Sequence, residues 1–100
     1  MRRFTLSPEA AADLQEIRTY LTQEAGPSIT KSVFAKIREA FVQLARTPGM
    51  GHSREDLTDE PLRFWSVFSY LVIYDPATKP IEIVRVLHGR REVDSILKDQ

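Results

Sequence analysis

A chain of 100 residues has room for one hydrophobic core, so 1–100 reads as a single domain. With 42% hydrophobic and 28% charged residues it is not intrinsically disordered, and 14 basic against 14 acidic side chains exclude nucleic-acid binding by bulk charge. The absence of cysteine excludes disulfides, thiolate catalysis and zinc–cysteine sites.

Arg3 to Leu6 reads as a short strand. Ser7-Pro8-Glu9 then has the marks of a helix start: a hydroxyl to cap, a proline where no amide bond is needed, and an acid near the positive helix end. Leu14, Ile17 and Leu21 form one apolar stripe, and Gly26-Pro27 stops the helix. A second helix carries Ile29, Val33, Ile37, Phe41 and Leu44 on one stripe, with Phe34 beside it, and ends before Pro48. So tight a connection predicts two antiparallel helices, a helical hairpin. From Pro48 to Pro61 there is no periodicity, and a loop of that length in a compact domain is functional or mobile.

The period then changes. Leu62 to Val67 alternates imperfectly, Tyr70 to Tyr74 is a continuous β-branched and aromatic run, and Ile81 to Leu87 is a further strand after a turn bracketed by Asp75-Pro76 and Lys79-Pro80. Nothing at Phe68-Ser69 favours a tight turn. Glu92 to Lys98 reads as a short helix. The order β-α-α-β-β-β-α predicts an α+β domain whose sheet of three to four antiparallel strands is covered on one face by the hairpin. No apolar run approaches the ~18 residues of a membrane span and the N-terminus has no signal-peptide core, so the expectation is a soluble, cytoplasmic protein without membrane association.

Positive charge gathers in the C-terminal half, where Arg63, Lys79, Arg85, Arg90 and Arg91 face only Asp75 and Glu82 between Pro61 and Arg91. Strict alternation places Ile81, Ile83, Arg85 and Leu87 on one face of the last strand and Glu82, Val84, Val86 and His88 on the other. Arg85 is then either a structural arginine bonded to carbonyls or to an acid, or a groove arginine for phosphate or carboxylate. Arg90 and Arg91, after Gly89, project from one corner as a binding pair or as solvated charge, and His88 is a surface hydrogen-bonder or a base. Phe64, Trp65 and Phe68 belong to the core by default, with an exposed stacking surface as the alternative. No carboxylate spacing around His52 or His88 resembles a metal site, and no nucleophile–base pair or phosphate loop occurs, so no metal or cofactor is expected.

An ordered set of residues runs nearly end to end: Phe4-x-Leu6-Ser7-Pro8-x-Ala10-x-x-Asp13-Leu14, then Leu44 to Pro48 with Gly51, Arg54 and Leu57, then Leu62-Arg63 with Val67, Tyr70 to Tyr74, and Ile81-x-Ile83-x-Arg85-Val86-Leu87-His88-Gly89-Arg90-Arg91. This set resembles the RelE/ParE superfamily of toxins from bacterial type II toxin–antitoxin modules, and its ParE (plasmid stabilisation) branch in particular. The resemblance implies a sheet with the helical hairpin on one face, a cognate ParD-like antitoxin as partner, and a toxin–antitoxin hetero-oligomer.

RelE-like members cut messenger RNA on the ribosome with cations on the central strands and after the last one. Here Arg91 matches the arginine after the last strand, but the central strands offer Arg63 and no lysine, leucine stands at position 71 where those ribonucleases resemble one another in carrying arginine, and 92–98 has no tyrosine. On that alternative Arg63, His88 and Arg91 would be catalytic. The departure favours the ParE-like activity, inhibition of DNA gyrase by trapping its cleaved-DNA complex, in which Arg63, Arg85, His88, Arg90 and Arg91 bind the target and catalyse nothing.

Overall fold

The computed structural model describes residues 4–88. The predicted helix over 92–98 and the candidate cations Arg90 and Arg91 lie outside the described residues.

Strand β1 (Phe4–Leu6) leads directly into helix α1 (Pro8–Ala25). Ser7 is extended at the junction, and its Oγ accepts the Ala10 amide at 2.9 Å while Pro8 fills the first turn. The helix stops at Gly26, whose φ of +89° suits a residue without a β-carbon, and α2 (Pro27–Arg46) starts at the next residue. Thr30 ties the hairpin at this corner: its Oγ donates to the Gly26 carbonyl and accepts from Thr22 Oγ. Ile37, Ala40, Phe41 and Leu44 are buried, whereas Ile29, expected on the same stripe, is 51% exposed; buried Thr30 holds the inward position of that first turn.

The sheet has five strands in the order β1-β5-β4-β3-β2. The expected antiparallel trio is present as β3 (Arg63–Val67), β4 (Tyr70–Asp75) and β5 (Ile81–His88). Two additions correct the predicted sheet. β1 runs parallel to β5, pairing Phe4 with Ile81 and Leu6 with Ile83, so the sheet is mixed. The region read as a loop from 48 to 61 contains a 3-10 turn at Pro48–Met50 and a two-residue strand, β2 (His52–Ser53), laid against Phe64 and Arg63. A strand this short has no periodicity to betray it. The Phe68-Ser69 junction proves to be a two-residue hairpin turn between paired Val67 and Tyr70, with Phe68 at φ +55° and 64% exposed.

Both faces of the sheet are apolar. The helix-side core joins Ala10 and Ile17 of α1 and Ile37, Phe41 and Leu44 of α2 to Tyr70, Val72, Tyr74, Ile81, Ile83 and Val86 of the sheet. Burial of each large aliphatic or aromatic side chain contributes about 1.5–3 kcal/mol. On the far face Phe64, Ile73 and Leu87 pack under Leu57 and Leu62, which the segment between β2 and β3 folds over them.

The alternation expected along β5 breaks halfway. Tyr74 pairs with Ile83 but Ile73 pairs with Arg85, so Val84 is an extra residue, a β-bulge. Arg85 and Leu87 therefore share the far face with Ile73 and Leu71, while Val86 and His88 join Ile81 and Ile83 on the helix side. Strict period 2 had placed Arg85 and Leu87 with the two isoleucines; one inserted residue inverts everything after it.

Candidate functional site

Arg63 opens β3 opposite Tyr74, and its Nη1 donates to the Gly51 carbonyl at 2.7 Å. Tyr74 is fully buried; its hydroxyl donates to the Pro48 carbonyl at 2.6 Å and accepts the Gly51 amide at 2.9 Å. Together the two side chains pin residues 48–51 to the sheet. Burial pushes the Tyr74 phenol above its ordinary pKa, with the Gly51 amide and the Arg63 charge pulling the other way. Beside this clamp, exposed His52 stacks on half-buried Trp65, ring centroids 6.0 Å apart and planes within 16°. Trp65 and Phe64 thus pack on opposite faces, and Phe68 is the exposed one of the three aromatics.

Arg85 reaches α1. Its Nε and Nη2 donate to the two carboxylate oxygens of Asp13 at 2.8 and 2.9 Å, and Asp13 Oδ2 also accepts the Val86 amide at 3.0 Å. The pair is largely buried, with side chains 20% and 10% exposed for Arg85 and Asp13. In this geometry Arg85 is a guanidinium bonded to an acid.

His88 closes β5 across from Tyr70, with ring centroids 5.1 Å apart. Burial raises the Tyr70 phenol above its ordinary pKa, with a smaller contribution from Tyr20 of α1. This end of the sheet also carries the Phe68 turn, and both Tyr20 and Phe68 are exposed. Arg63 is not here. It stands opposite Tyr74, four residues along β4 from the Tyr70 that faces His88, a separation of about 13 Å along the strand. The sheet thus puts Arg63 and His88 at opposite ends, with Arg85 between them on the far face.

A groove of about 630 Å³ lies elsewhere, along the helical hairpin beside β1. Leu14, Phe34 and Phe41 line it together with Arg18, Lys31 and Arg38, and among the described residues no acid does. Arg18 lies over the Phe34 ring, 4.1 Å from its centroid, so one cation is held at the apolar wall. These three cations went unnoticed in the sequence because they are scattered singly along two helices whose overall charge is balanced. Asp13 stood in the sequence only as part of the family set and not as the partner of Arg85, although an acid between Ala10 and Ile17 on the buried stripe of α1 is a legible anomaly.

Among the described residues no group of three or more His, Asp or Glu is placed to hold a metal ion, and no helix is long and apolar enough to cross a membrane.

Comparison with known proteins agrees with this architecture. The structure is similar to that of a protein from the chromosomal ParDE toxin–antitoxin system of P. aeruginosa, with a TM-score of 0.72 over 87% of this chain and 95% of that one at 21% identity, which is a likeness of fold. The sequence is 34% identical over 88 residues to Toxin ParE1 of Caulobacter vibrioides, covering 88% of this chain and 90% of the relative. Residues 4–93 match the family described as the ParE toxin of the type II toxin–antitoxin system parDE. The chain therefore belongs to the ParE family of toxins from type II toxin–antitoxin systems.

Proposed function

We propose that this toxin inhibits DNA gyrase by holding its cleaved-DNA complex, acts in the cytoplasm, and is neutralised by a cognate ParD-like antitoxin in a hetero-oligomer. The observation that carries the reading is the ParE match over residues 4–93, joined to the dispersal of the cations. In-line cleavage of RNA needs a proton acceptor and positive charge converging on one phosphate. Arg63 and His88 lie at opposite ends of the sheet, Arg63 bonded to the Gly51 carbonyl, and the Arg85 guanidinium is engaged by Asp13. That arrangement favours recognition over acid–base catalysis.

The groove on the hairpin is the surface we assign to the antitoxin. Its three cations and apolar walls fit an amphipathic segment with acidic residues flanking its hydrophobic ones.

The test is direct. Purified toxin should block supercoiling by gyrase and accumulate linear, protein-linked plasmid, and the cognate antitoxin should reverse both effects. Cleavage of A-site messenger RNA on programmed ribosomes, with gyrase untouched, would replace this reading with the ribonuclease one.

A further inference from the structure

We propose that Asp13 is a positioning residue: its carboxylate fixes the bulge in β5 and so decides that His88, and not Leu87, stands on the helix side where the strand leads into Gly89-Arg90-Arg91 of the sequence. Only the consequence for the target rests on the gyrase reading; the structural part stands by itself.

Ser7 holds the bulge at two successive carbonyls. In a regular strand consecutive carbonyls point to opposite edges. Here the Ile83 and Val84 carbonyls are both bonded by Ser7, one through its amide at 2.9 Å and the other through its hydroxyl at 2.7 Å. The chain therefore turns over between them, and the parity of every later group is reversed. The Val86 amide now faces the edge where β1 has ended at Leu6, in a buried position with no strand of the described residues beside it. A buried donor in that place is costly unless it is paired. Asp13 supplies the acceptor, and the same carboxylate takes two bonds from Arg85.

The bond from the Val86 amide belongs to the bulged register alone, and the two from Arg85 are made from the far face. Without the extra residue the Val86 amide would point toward β4, and Arg85 would project into the helix-side core next to Ile83. Hydrophobic burial alone discriminates weakly between the registers, because the exchange would swap Val86 for Leu87 against the helices, and cores accept aliphatic residues of about the same size. The Asp13 carboxylate discriminates strongly. In the flat strand it would lose the Val86 amide.

The experiment uses the full-length toxin and compares Asp13→Ala with Asp13→Asn, which keeps one acceptor and loses the charge. Amide hydrogen exchange and the proton contact between the Tyr70 and His88 rings are read together. In Asp13→Ala the Val86 amide should exchange at least about tenfold faster relative to the Val72 amide, and the Tyr70–His88 contact should weaken, with Asp13→Asn intermediate. If Asp13→Ala does not fold, Asp13→Asn carries the test by the same two signals. Unchanged Val86 protection with an intact ring contact would overturn the proposal, as would a uniform loss of protection across the sheet. Gyrase inhibition should fall in step with the ring contact. A variant that loses the contact and inhibits gyrase fully would overturn the role in target recognition, whereas a wild-type toxin inert on gyrase would sink the gyrase reading and leave control of the bulge standing.

Discussion

The Tyr74 hydroxyl accepts the Gly51 amide at 2.9 Å and stands 2.5 Å from where a β-carbon on residue 51 would lie. The Phe64 carbonyl, at 3.0 Å, closes the same space from the backbone side. Glycine is needed here for close approach, since no unusual φ is involved. Gly51→Ala should therefore lower stability by about 1–3 kcal/mol, because the tyrosine or the loop must shift. Tyr74→Phe should cost a similar ~1–3 kcal/mol by leaving the Gly51 amide and the Pro48 carbonyl unpaired. The two changes share one space, so the double variant should lose less than the sum of the singles in urea melts. Strict additivity would show that residues 48–51 are held by something other than this contact.

Arg85 and Asp13 make a second coupled pair, and it decides between a structural and a freely presented arginine. Removing either partner strands a charge in a largely buried place, at a cost of about 2–4 kcal/mol. Arg85→Ala should be the harsher change for the pair, since Asp13 is the more deeply buried of the two. The double variant Asp13→Ala, Arg85→Ala should be less destabilised than additivity requires. An Arg85→Ala protein with an unaltered urea midpoint would return Arg85 to the surface.

Why the sequence revealed the helical hairpin so clearly and the sheet's edges so poorly follows from what each depends on. Ser7-Pro8 and Gly26-Pro27 are local signals, sufficient in themselves to start and stop helices. β2 exists only because β3 offers it an edge, and β1 is parallel only because the chain returns beside it as β5. Neither fact is written in the residues concerned. The bulge at Val84 is likewise a tertiary device, set by Ser7 and Asp13 from more than seventy residues away, and it defeated the assignment of faces in β5. Arg63 and His88 were each recognised as candidates, but only the register of β4 tells that they stand apart.

Phe68 is a bulky residue at a positive φ, a conformation that glycine adopts without steric cost. Its ring is 64% exposed, so little packing offsets the strain. Phe68→Gly should raise stability by roughly 0.5–1 kcal/mol, read as a higher urea midpoint with an unchanged slope. A destabilised variant would mean that the ring is anchored more firmly than its exposure implies.

Alkaline pH should weaken the fold through its buried phenols. Tyr74 and Tyr70 both have pKa values raised by burial, so the folded state holds protons that the unfolded chain releases near the ordinary value of about 10. For a group raised in the folded state, the stabilisation is complete below the unfolded pKa and disappears as pH climbs through the folded one. The urea midpoint should accordingly be insensitive to tyrosine ionisation through neutral pH and fall above about pH 10. Tyrosinate absorbance that rose fully at that pH, with the structure intact, would show both rings to be accessible.

The groove on the helical hairpin yields the last prediction, about how the antitoxin is held. Arg18, Lys31 and Arg38 surround apolar walls without a single acid among the described lining residues, although the chain as a whole carries equal numbers of acids and bases. Charges of one sign at a groove rim steer an oppositely charged partner and raise its association rate, and the effect weakens as salt rises. The apolar wall should act differently: burial of Phe34 and its neighbours slows dissociation and is little affected by salt. Arg18→Glu with Arg38→Glu should therefore weaken antitoxin binding at least about tenfold at low salt, mainly through a slower association rate. The difference from wild type should shrink as salt is raised, because exposed charges are screened over about 10 Å at 0.1 M. Phe34→Ala should instead quicken dissociation at every salt concentration. Both variants change the surface more than the core, and melts of the free toxin should confirm that they fold. If the charge-reversed toxin binds its antitoxin with unaltered rates, the antitoxin does not lie in this groove and must cover another face.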